Sequence, residues 1–76
     1  MPESPIILDT TGLRCPLPVH KTRQAIKYSS NSKVIHLITD DPESLHDIPV
    51  LLGRLGLPKP CISEENNKWI IIIYLE

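Results

Sequence analysis

The sequence predicts a two-layer α/β sandwich, in which two helices pack on one face of a four-stranded mixed sheet. Three observations lead to this fold class. The 76 residues suffice for one domain with a small core, so we expect a single domain over residues 1–76. Apolar periodicity gives the element order βαβαββ. The apolar run from Trp69 to Leu75 is typical of a central strand, because neither of its faces is polar.

The first half of the chain predicts a strand, a helix and a second strand. Pro5 to Asp9 reads as the first strand, and a threonine-threonine-glycine turn closes it. A helix is expected from Pro16 to about Tyr28, and the polar residues 29–32 end it. Lys33 to Thr39 is rich in β-branched residues, which favours a second strand.

The second half begins with another helix. The turn at residues 40–42 leads into it, with Ser44 as the N-cap and Pro49 near the first turn. Gly56 ends the helix, and Pro58 follows. Its apolar stripe consists of Leu45, Ile48, Leu52 and Leu55.

The last two strands form a hairpin. Cys61 to Glu65 and Lys68 to Leu75 flank the turn formers Asn66 and Asn67. Right-handed crossovers then place both helices on one face of the sheet. The other face stays partly open, which favours either an apolar docking surface or simply an isoleucine-rich strand that fits its sheet.

Charge and composition limit the classes of partner. The net charge is −1, yet residues 10–39 carry five cations and no acid, while the remainder carries all nine acids. The chain has no phenylalanine, one tryptophan and two tyrosines, so it has few rings on which bases could stack. We therefore expect protein partners and no direct binding of nucleic acid.

Cysteine usage points to a reducing compartment. Cys15 and Cys61 are too few for a disulfide framework, and no spacing of cysteine and histidine suggests a zinc site. The first five residues lack the basic and apolar parts of a signal peptide, and no apolar run could span a bilayer. We expect a cytoplasmic monomer without metal, cofactor or membrane contact.

The residues around Cys15 are those that activate a thiol. Cys15 is the predicted N-cap of the first helix, with Pro16 at the first helical position and Pro18 at the third. The amides of Leu17 and Val19 would then face the sulfur. Cysteines so placed have a pKa of about 3.5 to 7.5, and the nearby cations Arg14, Lys21 and Arg23 act in the same direction. The sequence predicts an exposed thiolate.

A lone thiolate suits sulfur relay better than other cysteine chemistry. His20 falls on the wrong side of the helix to be a paired base, and no resolving cysteine lies nearby. A carrier needs only a thiolate that exchanges sulfur with a partner. The outward-facing residues Leu17, Lys21, Gln24 and Tyr28 either form a docking face or are scattered surface residues.

The other candidates receive structural roles. We expect Cys61 to be packed in its strand and His36 to be structural, whereas His20 and His46 are solvated. The aspartates at 40 and 41 are expected to serve as capping and turn residues.

The segment from Leu8 to Pro18 resembles the signature of the TusA/SirA-like sulfur carriers, in which a leucine-aspartate pair and a glycine precede Cys-Pro-x-Pro. The turn at 40–42 and the segment from Asp47 to Pro49 also resemble that family's second-helix entry. The resemblance covers essentially the whole chain. It implies a βαβαββ sandwich with a persulfide on Cys15, and partner docking through basic residues of the first helix, here Lys21 and Arg23.

The resemblance also implies a pathway context. Sulfur would arrive from a cysteine desulfurase or another persulfide donor and leave for an acceptor protein, without independent turnover. Relatives serve tRNA 2-thiouridine synthesis, molybdenum-cofactor synthesis, sulfur oxidation or thiosulfate uptake. The tRNA-thiolation members have glutamate where this chain has Leu17, so the route stays open. The alternative function is a non-catalytic regulatory or interaction module of the same fold.

Overall fold

A computed structural model describes residues 5–28 and 33–75 of the chain. The predicted helix end at 29–32 and the segment 1–4 lie outside the described residues. In chain order the elements are β1 (Ile6–Asp9), α1 (Leu17–Tyr28), β2 (Val34–Thr39), α2 (Ser44–Arg54), β3 (Cys61–Glu65) and β4 (Lys68–Tyr74). The predicted order βαβαββ and the α/β fold class are confirmed.

The four strands form one mixed sheet in the order β1-β2-β4-β3. β1 runs parallel to β2, whereas β4 runs antiparallel to both β2 and β3. β4 is therefore a central strand, as its apolar composition predicts. Among the described residues, no helix is long and apolar enough to cross a membrane.

The core lies between the sheet and the helices because alternate strand residues point to the same side. In β2, Ile35 and Leu37 are fully buried, while His36 between them is only half-buried. β4 contributes to the core by the same alternation, and α2 contributes through the 3.6-residue helical period. The buried apolar cluster consists of Ile35, Leu37, Ile48, Leu52, Ile71 and Ile73.

α1 begins one residue later than predicted, at Leu17. Pro16 precedes the helix, and its carbonyl accepts the N–H of His20 at 3.0 Å, so Pro16 caps the helix instead of occupying its first turn. Pro18 and Thr22 lie on the buried face of α1, and the Thr22 hydroxyl donates to the Pro18 carbonyl at 2.8 Å.

The two ends of α2 differ in how well the sequence predicts them. Glu43, not Ser44, is the N-cap residue, and its side chain makes no capping hydrogen bond. Pro49 lies inside the helix rather than near its first turn. At the other end, Gly56 has a φ of +73° and the Leu57 N–H donates to the Leu52 carbonyl at 2.9 Å. This is the Schellman end that the glycine predicts.

The face of the sheet away from the core cluster stays partly open. Along one row of paired residues lie Ile7, His36, Ile72 and Cys61. Ile7 is 60% exposed, and Cys61 is exposed at the edge strand β3. The prediction that Cys61 is packed is wrong, because every residue of β3 is exposed in its edge position.

Candidate functional site

Cys15 lies in the loop between β1 and α1, close to the amino-terminal end of α2. Its backbone N–H donates to the Oδ2 atom of Asp41 at 2.8 Å. The other oxygen of that carboxylate, Oδ1, accepts the N–H of Glu43 at 3.2 Å. Asp41 is 3% exposed, so one buried carboxylate joins the cysteine loop to the start of α2.

Asp40 holds the preceding part of the same loop. Its Oδ1 atom accepts the N–H of Gly12 at 3.0 Å and an N–H of the Arg14 guanidinium at 2.9 Å. The hydrogen bond from Gly12 and the neighbouring Arg14 lower the pKa of the Asp40 carboxyl. Gly12 has a φ of +86°, a left-handed conformation that favours glycine at this turn. The expected turn role is confirmed for Asp41, which accepts the N–H of Glu43 two residues on, whereas Asp40 holds the distant Gly12–Arg14 loop instead of capping α2.

The groups expected to stabilise a thiolate are engaged elsewhere. Arg14 pairs with Asp40, so its charge is committed to the loop. The N–H of Leu17 donates to the Arg14 carbonyl at 2.9 Å and does not serve as a free donor for the sulfur. Pro16 stands before the helix and is exposed, while Pro18 is buried. The motif prolines therefore shape the loop, but the amide-lined anion site is absent from this conformation of the described chain.

The thiol of Cys15 is a hydrogen-bond donor. Its Sγ atom donates to Oδ2 of Asp47 at 2.8 Å, and the side chain is half-buried. This hydrogen bond to Asp47, followed by partial burial and the negative charges of Asp47, Glu43 and Asp41, raises the pKa of the Cys15 thiol from its ordinary 9.0 to about 11. The prediction of an exposed thiolate is wrong for the protein without a partner.

Sequence reasoning missed the role of Asp47. The residue lies 32 positions after Cys15, in the first turn of α2. The signal available was the segment from Asp47 to Pro49, which we interpreted only as a helix entry. Only the folding of α2 against the loop shows that its first acid faces the thiol.

A cleft of about 300 Å³ opens between the two helices at Cys15. Asp47 and Arg23 both contribute to its walls, so Arg23 lines the same cleft as the thiol although it lies six residues along α1. Its lining residues are Cys15, Pro16, Val19, Arg23, Asp47, Val50, Leu51 and Arg54.

The remaining predicted docking residues lie outside this cleft. Lys21 is exposed on α1, and the side chain of Leu17 is 48% exposed beside the loop. Tyr28 is exposed as well, so the outward face of α1 is as the helical period predicts. His20 and His46 are exposed, as expected.

The acidic surroundings of Cys15 also bring potential metal ligands together. The thiol and the carboxylates of Glu43 and Asp47 lie within 4.8 Å of one another. In this structure one Asp47 oxygen accepts the thiol hydrogen, so the cysteine and this carboxylate share a proton.

Known proteins resemble the chain over most of its length. The family described as sulfurtransferase TusA matches residues 6–74. A putative sulfur carrier protein of Archaeoglobus fulgidus is 43% identical over 49 residues, and this alignment spans 64% of each chain. The sulfur carrier protein TusA of Allochromatium vinosum is 32% identical over 66 residues, which is 87% of each chain.

Proposed function

Because the chain belongs to the sulfurtransferase TusA family, we propose that it carries sulfane sulfur as a persulfide on Cys15 and relays it to an acceptor protein. The observation that carries the proposal is the position of the Cys15 thiol at an open cleft between the helices. Cys61, the other free cysteine, lies exposed on the edge strand β3.

The transfer chemistry needs only the Cys15 thiol and a persulfide on a partner. The S–H bond of Cys15 breaks as its sulfur attacks the outer sulfur of a donor persulfide, and a new S–S bond forms. The S–S bond of the donor breaks, and the donor thiolate takes up a proton. The second transfer repeats these events with Cys15 as the donor and an acceptor thiol as the nucleophile. The carrier returns to its starting thiol without a cofactor.

We propose a cysteine desulfurase or another persulfide donor upstream and a sulfur-acceptor protein downstream, both in the cytoplasm. The carrier does not turn over by itself, since each cycle needs a donor that supplies sulfur and an acceptor that removes it. The synthesis of 2-thiouridine in tRNA is the first route to test. Leu17 differs from the glutamate of the tRNA-thiolation relatives, and it presents an apolar side chain that is 48% exposed beside the thiol.

Intact-mass spectrometry tests the proposal. The protein is incubated with a cysteine desulfurase and cysteine, and its mass is compared with those of Cys15→Ser and Cys61→Ser. We expect one added sulfur on the wild type and on Cys61→Ser, and none on Cys15→Ser. An unchanged wild-type mass, or an adduct that survives in Cys15→Ser, would contradict the proposal.

The open sheet face favours a second candidate, a non-catalytic interaction module. Ile7 is 60% exposed on that face, and Ile72 lies in the same row. This candidate predicts that Cys15→Ala preserves the biological role while Ile72→Ser abolishes it. Ile71 is unsuitable for the test because it is fully buried, so a polar substitution there would unfold the protein.

A further inference from the structure

The cleft beside Cys15 has an acidic end and a basic side. At the cysteine, Asp47 lines the cleft, and Glu43 stands at its edge, since its carboxylate, that of Asp47 and the thiol lie within 4.8 Å of one another. Arg23 from α1 and Arg54 from the last turn of α2 also line the cleft. Between the charges lies an apolar surface, and its members are Val19, Val50 and Leu51.

Neither charged region is neutralised within the protein. Across residues 5–28 and 33–75, neither Arg23 nor Arg54 has an ion pair, and the described salt bridge joins Arg14 to Asp40. That pairing removes Arg14 as a counter-charge for the acids at the thiol. A partner that covers the cleft must supply complementary charges, because burying unpaired charges opposes association.

The helix dipole explains only part of this arrangement. Glu43 at the start of α2 and Arg54 in its last turn both complement the dipole of that helix. Arg23 does not, because it lies in the interior of α1 and is exposed. Arg23 and Arg54 line the same cleft from two different helices, which favours an anionic ligand there.

We propose that this cleft binds a segment of a partner protein that has a cationic side chain beside its exchanging cysteine and an acidic side chain farther along. The proposal rests on the proposed function, since it names the partner that exchanges sulfur at Cys15. The cation would contact Glu43 and Asp47, and the acid would contact Arg23 and Arg54. The apolar surface between them fits an aliphatic side chain of the same segment.

Docking of such a segment would also activate the thiol. The proton stays on Cys15 because Asp47 accepts it and because the negative charges of Asp47, Glu43 and Asp41 disfavour a thiolate. A partner cation placed among these carboxylates offsets their charge and competes for the Asp47 oxygen. Sulfur exchange is then fast with the matching partner, while the free carrier stays unreactive.

Two short peptides of identical composition test the proposal, each supplied as its symmetric disulfide. One has lysine beside its cysteine and glutamate at the far end, and the other has these two residues exchanged. In a Cys61→Ser background, the Cys15 thiolate attacks the disulfide, one peptide stays linked to Cys15, and the other leaves as a thiolate that is then protonated. Intact-mass spectrometry follows this product with time.

We expect the lysine-adjacent peptide to react about fivefold faster at low salt, after each rate is divided by the rate with 2-mercaptoethanol, a neutral reference thiol. The preference should shrink in about 1 M salt and disappear in the double variant Glu43→Lys, Arg54→Glu, which leaves one charge of each sign at either end of the cleft. Equal rates with the unsubstituted cleft, or a preference that the double variant retains, would overturn the proposal. Because this readout requires no persulfide, its failure is distinct from a failure of the carrier function.

Discussion

Replacing Asp47 with asparagine should make Cys15 more reactive. Asparagine retains an oxygen that accepts the S–H hydrogen, but it removes both the carboxylate acceptor and the negative charge that raise the pKa of the thiol to about 11. The pKa should fall toward the ordinary value of 9.0. Partial burial and the charges of Glu43 and Asp41 still oppose ionisation, so at about pH 8 the thiolate fraction rises from roughly 0.1% to at most roughly 9%.

The gain in rate is smaller than the gain in thiolate. A thiolate of lower pKa is a weaker nucleophile, by about six- to tenfold over this interval. A rise in thiolate of up to roughly 90-fold therefore gives an alkylation rate up to about tenfold higher. Pseudo-first-order labelling with iodoacetamide, followed by intact-mass spectrometry in a Cys61→Ser background, measures this rate directly.

A matched substitution separates the local effect of Asp47 from the overall charge. Asp9→Asn removes the same charge at an exposed site where the carboxylate accepts hydrogen bonds from Thr11. It should leave the alkylation rate of Cys15 unchanged. If Asp47→Asn gave a rate equal to or below that of the parent protein, or if Asp9→Asn gave the same rise, the account of the thiol would be refuted.

Three further predictions concern stability, each measured as the change in denaturant midpoint. Asp41→Ala should destabilise the fold by about 1–3 kcal/mol, because the Cys15 N–H loses its buried acceptor; an unchanged midpoint would contradict that role. Gly56→Ala should destabilise the fold by about 1–2 kcal/mol because the φ of Gly56 is +73°. Gly53→Ala, within α2, should stabilise the fold by about 0.5–1 kcal/mol. Equal effects of the two substitutions would contradict the argument. The raised pKa of the Cys15 thiol stabilises the fold fully below pH 9, and this stabilisation is lost as the pH rises from 9.0 to about 11. The loss should be smaller in Asp47→Asn. The same dependence of stability on pH in both proteins would contradict the role of Asp47.

Local sequence patterns predict most of the fold. The apolar run in β4 favours a central position in the sheet, and β4 indeed pairs with β2 on one side and β3 on the other. Asn66 and Asn67 adopt φ values of 53° and 64°, which asparagine tolerates, so the hairpin turn follows from its two residues. Gly56 ends α2 for the same kind of local reason.

The electrostatics of the site could not be predicted in this way. Helix-dipole and amide arguments treat Cys15 with its chain neighbours, and by themselves they favour a thiolate. The deciding contacts come from Asp41 and Asp47, which are 26 and 32 residues away. Arg14 illustrates the same point, since its partner Asp40 is also 26 residues away.

Exposure at the edge of the sheet was likewise beyond local reasoning. Cys61 follows a proline and begins a strand, a context that favours packing, yet its burial depends on strand order. β3 pairs only with β4 and forms one edge of the sheet, so Cys61 remains exposed beside Ile72. A strand one place farther in would have covered it.

Localisation of the transferred sulfur tests the central claim most directly. After loading by a persulfide donor, peptide mapping by mass spectrometry assigns the added sulfur to the peptide containing Cys15 or to that containing Cys61, before and after an acceptor thiol is supplied. The account predicts one sulfur on the Cys15 peptide, which leaves for the acceptor and regenerates the thiol. Sulfur found on Cys61, or sulfur that stays on Cys15 when the acceptor is present, would contradict it.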